Sequence, residues 1–315
     1  MEAKISPLTF TLSKYIMILR RGIYRKIWMK ITRDSRPGSY PFISGDSFRL
    51  LAQHIYDEET AFNPKDVKQG DIVFASNSCA HKYMQTLHKQ IKYPYILLVH
   101  NGDNAIDQTF ANMIDDKIVK CYAQDVVFKH DKIVPIGISL ENKRYYMNGI
   151  PAVFNRLIKK MRCNPLVKQD KILFRFSVYT NPTERKPALE LFFKHPLMET
   201  FSQMLPPSLH LRKLMTYKFV ASPPGNSIES HRTWEALELR TVPIVKDFVA
   251  YRYFVSLGLP MWIVKDWKEL DDYQTPESLS QKYNELMKNP NWEPLRMDYW
   301  IKRIKIDQEI AKKLH

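Results

Sequence analysis

The sequence predicts an α/β protein with parallel sheets, divided into two domains. Short apolar runs bounded by turn residues recur along the chain, and helical patterns separate them. Strands that alternate with helices pair in parallel, because each crossover needs a helix to return the chain to the same edge. A length of 315 residues suits two medium domains, and a hydrophobic content of 44% suffices to fill their cores.

Residues 1–36 form a basic amphipathic segment. Within it, residues 8–30 read as a helix, with Leu12, Ile16, Leu19, Ile23 and Ile27 on one face and Lys14, Arg21 and Arg25 roughly opposite. Such a helix suits an anionic membrane surface as well as a protein core. Pro37, Gly38, Pro41 and Gly45 mark a linker over 33–45. Asp46 to Tyr56 reads as a helix, 70–76 as turn and strand, His81 to Lys89 as a helix, and Tyr95 to Val99 as a buried strand. Residues 117–123 and Lys132 to Ile136 are further strands. These elements make a first domain over 37–155.

A basic helix over 151–164 bridges to a second domain over 165–290. That domain opens with a strand from Lys171 to Val178. Thr180 to Arg185 turns the chain into a helix running to about Phe193. Met261 to Val264 is a short strand, Trp267 to Leu270 begins the last helical region, and 276–288 reads as a helix. A helix over 298–313 fills the C-terminal segment 291–315.

The most informative stretch is Phe219 to Asp247. Phe219 to Ala221 is apolar. Ser222 to Asn226 holds two prolines and a glycine, which end the strand and turn the chain. Ser230 is placed to cap a helix whose apolar side is Trp234, Leu237 and Leu239. Val242 to Val245 is a second buried strand. A loop feeding a helix N-terminus offers backbone N–H groups and partial positive charge, which suits phosphate. His231 and Arg232 add cationic donors in the first turn. Glu235, one turn on, is placed to accept from ribose hydroxyls.

Ser222, Pro223, Gly225, Asn226, His231, Arg232, Trp234, Glu235, Ala236, Leu237, Pro243, Ile244 and Val245 together resemble the donor-binding motif of the exostosin-like glycosyltransferases. Ser227 and Arg240 stand where that pattern has glycine, and Glu229 where it has aspartate. The likeness extends over about residues 40–270, through His100 to Asp103, Tyr122 to Gln124, Pro135 to Gly137, Leu140 to Asn142, Phe176-Ser177, Thr180-Asn181 and Glu184-Arg185. It implies the GT-B fold, two Rossmann-like domains facing across a cleft, with the acceptor on the first domain and the nucleotide sugar on the second. It also implies inversion at the anomeric carbon and a UDP-linked donor.

Glycosyl transfer needs the leaving diphosphate stabilised, the acceptor hydroxyl deprotonated and the donor held in line. The diphosphate falls to Arg185, His231, Arg232 and the backbone near Gly225 and Asn226, with Ser222 either touching phosphate or only ending its strand. Asp103 is the first candidate for the base, since it follows a buried strand in a glycine-containing loop; His100 and Asp46 are its rivals. Trp234 reads as core. No Asp-x-Asp pattern follows a strand, so no metal cofactor is expected.

Formal net charge is +15. Nine Lys and Arg against Glu2 and Asp34 in residues 1–36 supply nearly half of it, and Arg156 to Lys171 and the C-terminal tail supply further clusters. Such patches attract nucleic acid, anionic lipid or phosphorylated ligands. The chain shows no helix-turn-helix, zinc-finger spacing or aromatic RNP-like stretch, so nucleic acid is not the expected partner. A basic nucleic-acid-binding protein and a non-catalytic GT-B relative are the competing readings. No run of about 18 apolar residues crosses a membrane and no secretory signal is convincing. Three widely spaced cysteines, Cys79, Cys121 and Cys163, read as reduced thiols. The expected location is the cytoplasm, peripheral at a membrane carrying a glycan or lipid-linked acceptor.

Overall fold

The computed structural model describes residues 36–145, 148–201 and 205–314. The amphipathic helix expected over 8–30 lies outside them. Ten strands fall into two sheets: β1 His54–Tyr56, β2 Ile72–Ser76, β3 Tyr95–His100, β4 Ile118–Ala123 and β5 Ile133–Pro135 in the first; β6 Gln169–Phe174, β7 Met198–Glu199, β8 Tyr217–Ala221, β9 Val242–Lys246 and β10 Trp262–Val264 in the second. The α-helices between and after them are α1 Gly45–Arg49, α2 Ala80–Gln85, α3 Leu87–Gln90, α4 Gln108–Ala111, α5 Pro151–Cys163, α6 Pro182–Phe192, α7 Pro207–Leu214, α8 His231–Glu238, α9 Val249–Ser256, α10 Pro276–Leu286 and α11 Met297–Lys313.

Both sheets are parallel throughout, which agrees with the two-domain α/β expectation. The first runs in chain order, β1-β2-β3-β4-β5. The second runs β10-β9-β8-β6-β7, so the direction of winding reverses between β6 and β8. Loops at the carboxyl ends of those two strands diverge to opposite faces and leave a crevice between them. The stretch that dominates the sequence sits there, because β8 feeds the loop 222–230.

Burial explains the strands. All of β2 and β3 is buried, as parallel strands covered on both faces must be. In the second sheet, Ile172 and Phe174 face one apolar layer with Phe219 and Trp262, while Leu173 and Val220 face another with Phe154 and Leu211. The two halves share a core. Trp234, Leu237, Val245, Tyr251 and Phe254 of the second pack into the same cluster as Val73, Leu97 and Tyr122 of the first.

The helix expected over Asp46 to Tyr56 is much shorter. It ends at Arg49, and His54 to Tyr56 pairs with Val73 to Ala75 as an edge strand. The strand expected to reach Val178 ends at Phe174, which frees Arg175 to Asn181 as a loop over the crevice.

Gly137 follows β5 where the halves meet. A Cβ there would lie 1.8 Å from the Trp234 ring, so only hydrogen fits. Gly137→Ala is expected to lower stability by about 3 kcal/mol through overpacking. Urea unfolding followed by tryptophan emission measures it.

Candidate functional site

Among the described residues, three of the crevices bear on the stretch from Phe219 to Asp247, the first lined by the second half alone and the other two by both halves. The first lies over the carboxyl ends of β6 and β7, has a volume of about 440 Å³, and is lined by Arg175, Phe176, Ser177, Phe193, His210 and Arg232 among others. The second, about 250 Å³, separates Asp103, Asp125 and Phe248 from Asn181, Glu184, Gly225 and Asn226. The third, about 210 Å³, is bounded by His100 to Asp103, Gln124, Asn142, Arg144 and Tyr145 of the first half and by His231 of the second. The turn at Gly225 and Asn226 is thus open on one side.

The first crevice is cationic. Arg232 occupies the second position of α8 and lines this crevice. Its Nε and Nη1 are buried and have no hydrogen-bond partner in the described structure. A buried guanidinium without acceptors is costly unless an anion arrives. Burial, then the neighbouring Arg185, pushes its pKa down to about 10, with Glu235 opposing and Arg175 adding to the fall. Arg175 donates to the Phe201 carbonyl and stacks over that ring at 4.5 Å. Burial, with Arg232 and Arg175 nearby, depresses His210 to about 4, so its ring is neutral near pH 7.

Arg185 has a different role from the one expected of it. Its Nε donates to Pro224 O at 2.7 Å, Nη2 to Pro223 O at 3.1 Å, and Nη1 to Ser177 O at 2.8 Å and to Thr180 Oγ1. A guanidinium so occupied fixes the two loops against each other and has little left for phosphate. A Cβ on Gly225 would come within 2.9 Å of its Nη2. The Gly225 N–H is also spent, donating to Ser227 O at 2.9 Å, while Asn226 stands exposed. Ser222 is buried, and its hydroxyl bonds those of Ser230 and Thr233, each at 2.8 Å. It therefore ends its strand and ties it to α8. Ser230, engaged in that contact, gives α8 no side-chain cap.

His231 lines the third crevice and donates from Nδ1 to Ser139 O of the other half at 2.7 Å. Glu235, four residues on and on the same face of α8, is half-buried and lines none of the three crevices. Burial raises its carboxyl pKa, against His231 and Arg232, which lower it.

Of the three candidates for the base, only Asp103 is exposed, and it is the one residue common to the second and third crevices. His100 is buried; its Nε2 donates to Gly137 O at 3.1 Å and its Nδ1 accepts from Asn101 N at 2.7 Å. Burial drives its pKa down to about 4, so it holds the Asn101 turn rather than receiving a proton from solvent-side groups. Asp46 is fully buried, paired with Arg36 at 2.9 Å and accepting from Asn101 Nδ2 at 3.1 Å. Both rivals support the Asp103 loop from beneath.

The motif's departures are accommodated. Arg240 lies at φ 58°, directly after α8, where glycine is ordinarily favoured. Thr241 N–H reaches Ala236 O at 2.9 Å and Arg240 N–H reaches Leu237 O at 3.1 Å, closing a Schellman turn. The Arg240 guanidinium lies 3.6 Å from the Trp292 ring centre, and that contact offsets the left-handed backbone. Ser227 has no positive φ, so its position does not require glycine.

Several contacts and residues at the site escaped the sequence, among them the contacts of Glu229, which the motif comparison only names. Glu229 is buried, takes the Trp234 indole N–H at 2.8 Å and Ile138 N–H at 3.1 Å, and exchanges backbone N–H bonds with Asp125 of the first half at 3.3 and 3.4 Å. Gln124 Nε2 bonds Asp125 Oδ2 at 2.6 Å and Gly102 O at 2.7 Å. Arg175 had one signal, a cation interrupting an apolar strand at its carboxyl end. His210 and Asp125 had none. Among the described residues, no three His, Cys, Asp or Glu side chains are grouped to hold a metal ion.

The chain matches no protein-family model and has no significant match among curated proteins. Among solved structures it is similar to an α,α-trehalose-6-phosphate synthase from Burkholderia multivorans, at 9% identity over 79% of this chain and 72% of that one, with a TM-score of 0.44. A UDP-forming α,α-trehalose-phosphate synthase from Burkholderia xenovorans gives 11% identity, 79% and 75% coverage and a TM-score of 0.44. The spinosyn rhamnosyltransferase complexed with thymidine diphosphate gives 9%, 76% and 69%, and 0.36. Overlap of that degree carries no argument about residues or substrates.

Proposed function

We propose that this protein is an exostosin-like glycosyltransferase of GT-B type, which moves a sugar from a nucleotide-sugar donor to a hydroxyl of a glycan or polysaccharide. The observation that carries the reading is Arg232, whose Nε and Nη1 are buried without an acceptor beside the 440 Å³ crevice over the carboxyl ends of β6 and β7. Arg175 adds charge, and Phe176 and Phe193 supply apolar walls for a base. The free N–H groups at the start of α8 favour the diphosphate. The motif resemblance assigns the ribose hydroxyls to Glu235, which lies beside His231 and Arg232 on α8 but lines none of the three crevices. The motif resemblance favours UDP, inversion and a metal-independent reaction. With Arg185 and the Gly225 N–H engaged elsewhere, the leaving group falls to Arg232, His231 and the helix terminus.

In the reaction, the acceptor hydroxyl gives its proton to Asp103 as its oxygen attacks the anomeric carbon. The bond from that carbon to the diphosphate breaks, and the nucleoside diphosphate departs with the electron pair. Residues 8–30 hold the enzyme at an anionic membrane near a lipid-linked or membrane-bound acceptor, on the cytoplasmic side.

Arg232→Met tests the donor site. Removing a guanidinium whose buried Nε and Nη1 lack acceptors should raise Tm, while the Kd for UDP should rise at least about tenfold, the value of a charged hydrogen bond. Thermal shift against UDP, GDP and CMP, followed by calorimetry, reads both. A variant that keeps native nucleotide affinity ends the proposal.

A further inference from the structure

The second and third crevices meet at Asp103 but differ in charge. The third is flanked by Arg144 and His231, and His231 adjoins Arg232. The second has two carboxylates on its wall, Asp103 and Glu184, the buried carboxyl of Asp125, two carboxamides, Asn181 and Asn226, and the ring of Phe248; among the described residues its lining includes no Lys, Arg or His. Arg185 lies beneath its Gly225 turn, but its N–H groups are engaged with Pro223, Pro224, Ser177 and Thr180. Glu184 is held in place by the Trp267 indole, which donates at 2.9 Å, and Asp125 by Gln124 and the Glu229 N–H.

From this division of charge, and resting on the glycosyl-transfer reading, we propose that the crevice between Asp103, Asp125, Asn181, Glu184, Asn226 and Phe248 seats the acceptor sugar and selects one that is uncharged or carries an amine. Fixed carboxylates and carboxamide oxygens accept from sugar hydroxyls and ammonium groups. Phe248 offers an apolar face to the C–H side of a pyranose. A uronate or phosphate in the same place would meet like charges at reduced dielectric, with no cation to pair it. The arrangement orders the substrates: the anionic donor lies on the Arg232–His231 side, the acceptor lies on the Glu184 side, and Asp103 stands between them.

The test titrates the full chain, with and without UDP, against methyl glucoside, methyl glucosaminide and methyl glucuronide, followed by saturation-transfer NMR. The glucoside and glucosaminide should bind, with the glucuronide at least about tenfold weaker. Glu184→Gln should weaken the glucosaminide and narrow the gap to the glucuronide. Asn226→Lys, at an exposed position that the fold tolerates, should bring the glucuronide into the site. Equal or tighter glucuronide binding by the native protein, no binding of the other two, or an Asn226→Lys variant with native selectivity overturns the inference. Its failure is separable from that of the donor site: absent UDP binding strikes the reading of Arg232, while glycoside selectivity is scored without nucleotide.

Discussion

Asp103→Asn is expected to bind UDP as tightly as the native protein and to transfer sugar roughly 10²- to 10⁴-fold more slowly, the usual contribution of a positioned general base. The amide keeps the size and hydrogen-bonding reach of the carboxylate but cannot take a proton. Asp103 is exposed at the junction of two crevices, and its loop is supported by His100, Asp46 and Gln124, so the change should leave the fold intact. Nucleotide release gives kcat and calorimetry gives Kd. A native kcat removes Asp103 from the chemistry. Lost UDP binding at unchanged Tm moves it to the donor site.

The second large effect concerns pH. Asp125 and Glu229 come from different halves, both buried, and their carboxyl groups lie against each other's backbone N–H. Burial raises both pKa values, with Asp103 adding to the rise at Asp125 and Asp125 to that at Glu229. Hydrogen bonds from Ile138, Trp234, Gln124 and Ser227 oppose the shift. Carboxyl groups raised in the folded state bind protons more tightly there than in the unfolded chain. Their contribution to stability is therefore complete below about pH 4, the ordinary carboxylate range, and is lost as pH rises through about 7 and then about 8. Tm is expected to fall by roughly 5 °C between pH 6 and pH 9. Glu229→Gln removes one of the two titrating groups and should flatten that slope while keeping the acceptor for Trp234. Scanning calorimetry across this range decides it: a native slope in the variant means the pair is not responsible.

The parallel sheets were legible because their central strands are long and uniformly apolar; Tyr95 to Val99 has no other reading. The β7 strand was not, since two residues, Met198 and Glu199, carry no periodicity and are set only by pairing with Ile172 and Leu173. The early end of α1 is likewise tertiary, because Leu50 to Ala52 continue a helical pattern that β2 overrides by pairing with His54 to Tyr56. At the site, Asp103, Asn226, His231 and Arg232 all reach crevices, because loop and helix-terminus chemistry is local. Arg185 misleads for a physical reason: sequence shows a cation near a turn, but not that two proline carbonyls of a distant loop consume its donors. Contacts that cross between the halves, such as Asp125 with Glu229, leave no trace in local spacing.

The last helix, α11, returns to the first sheet: Trp300 and Ile304 share the cluster of Leu97 and Tyr122, and the Tyr122 hydroxyl donates to Asp307 at 2.5 Å. The half that leaves the ribosome first thus lacks part of its own cover until α11 is made. Its growing chain must wait with an oily surface bare, and during that interval a holding chaperone will have its greatest influence on yield.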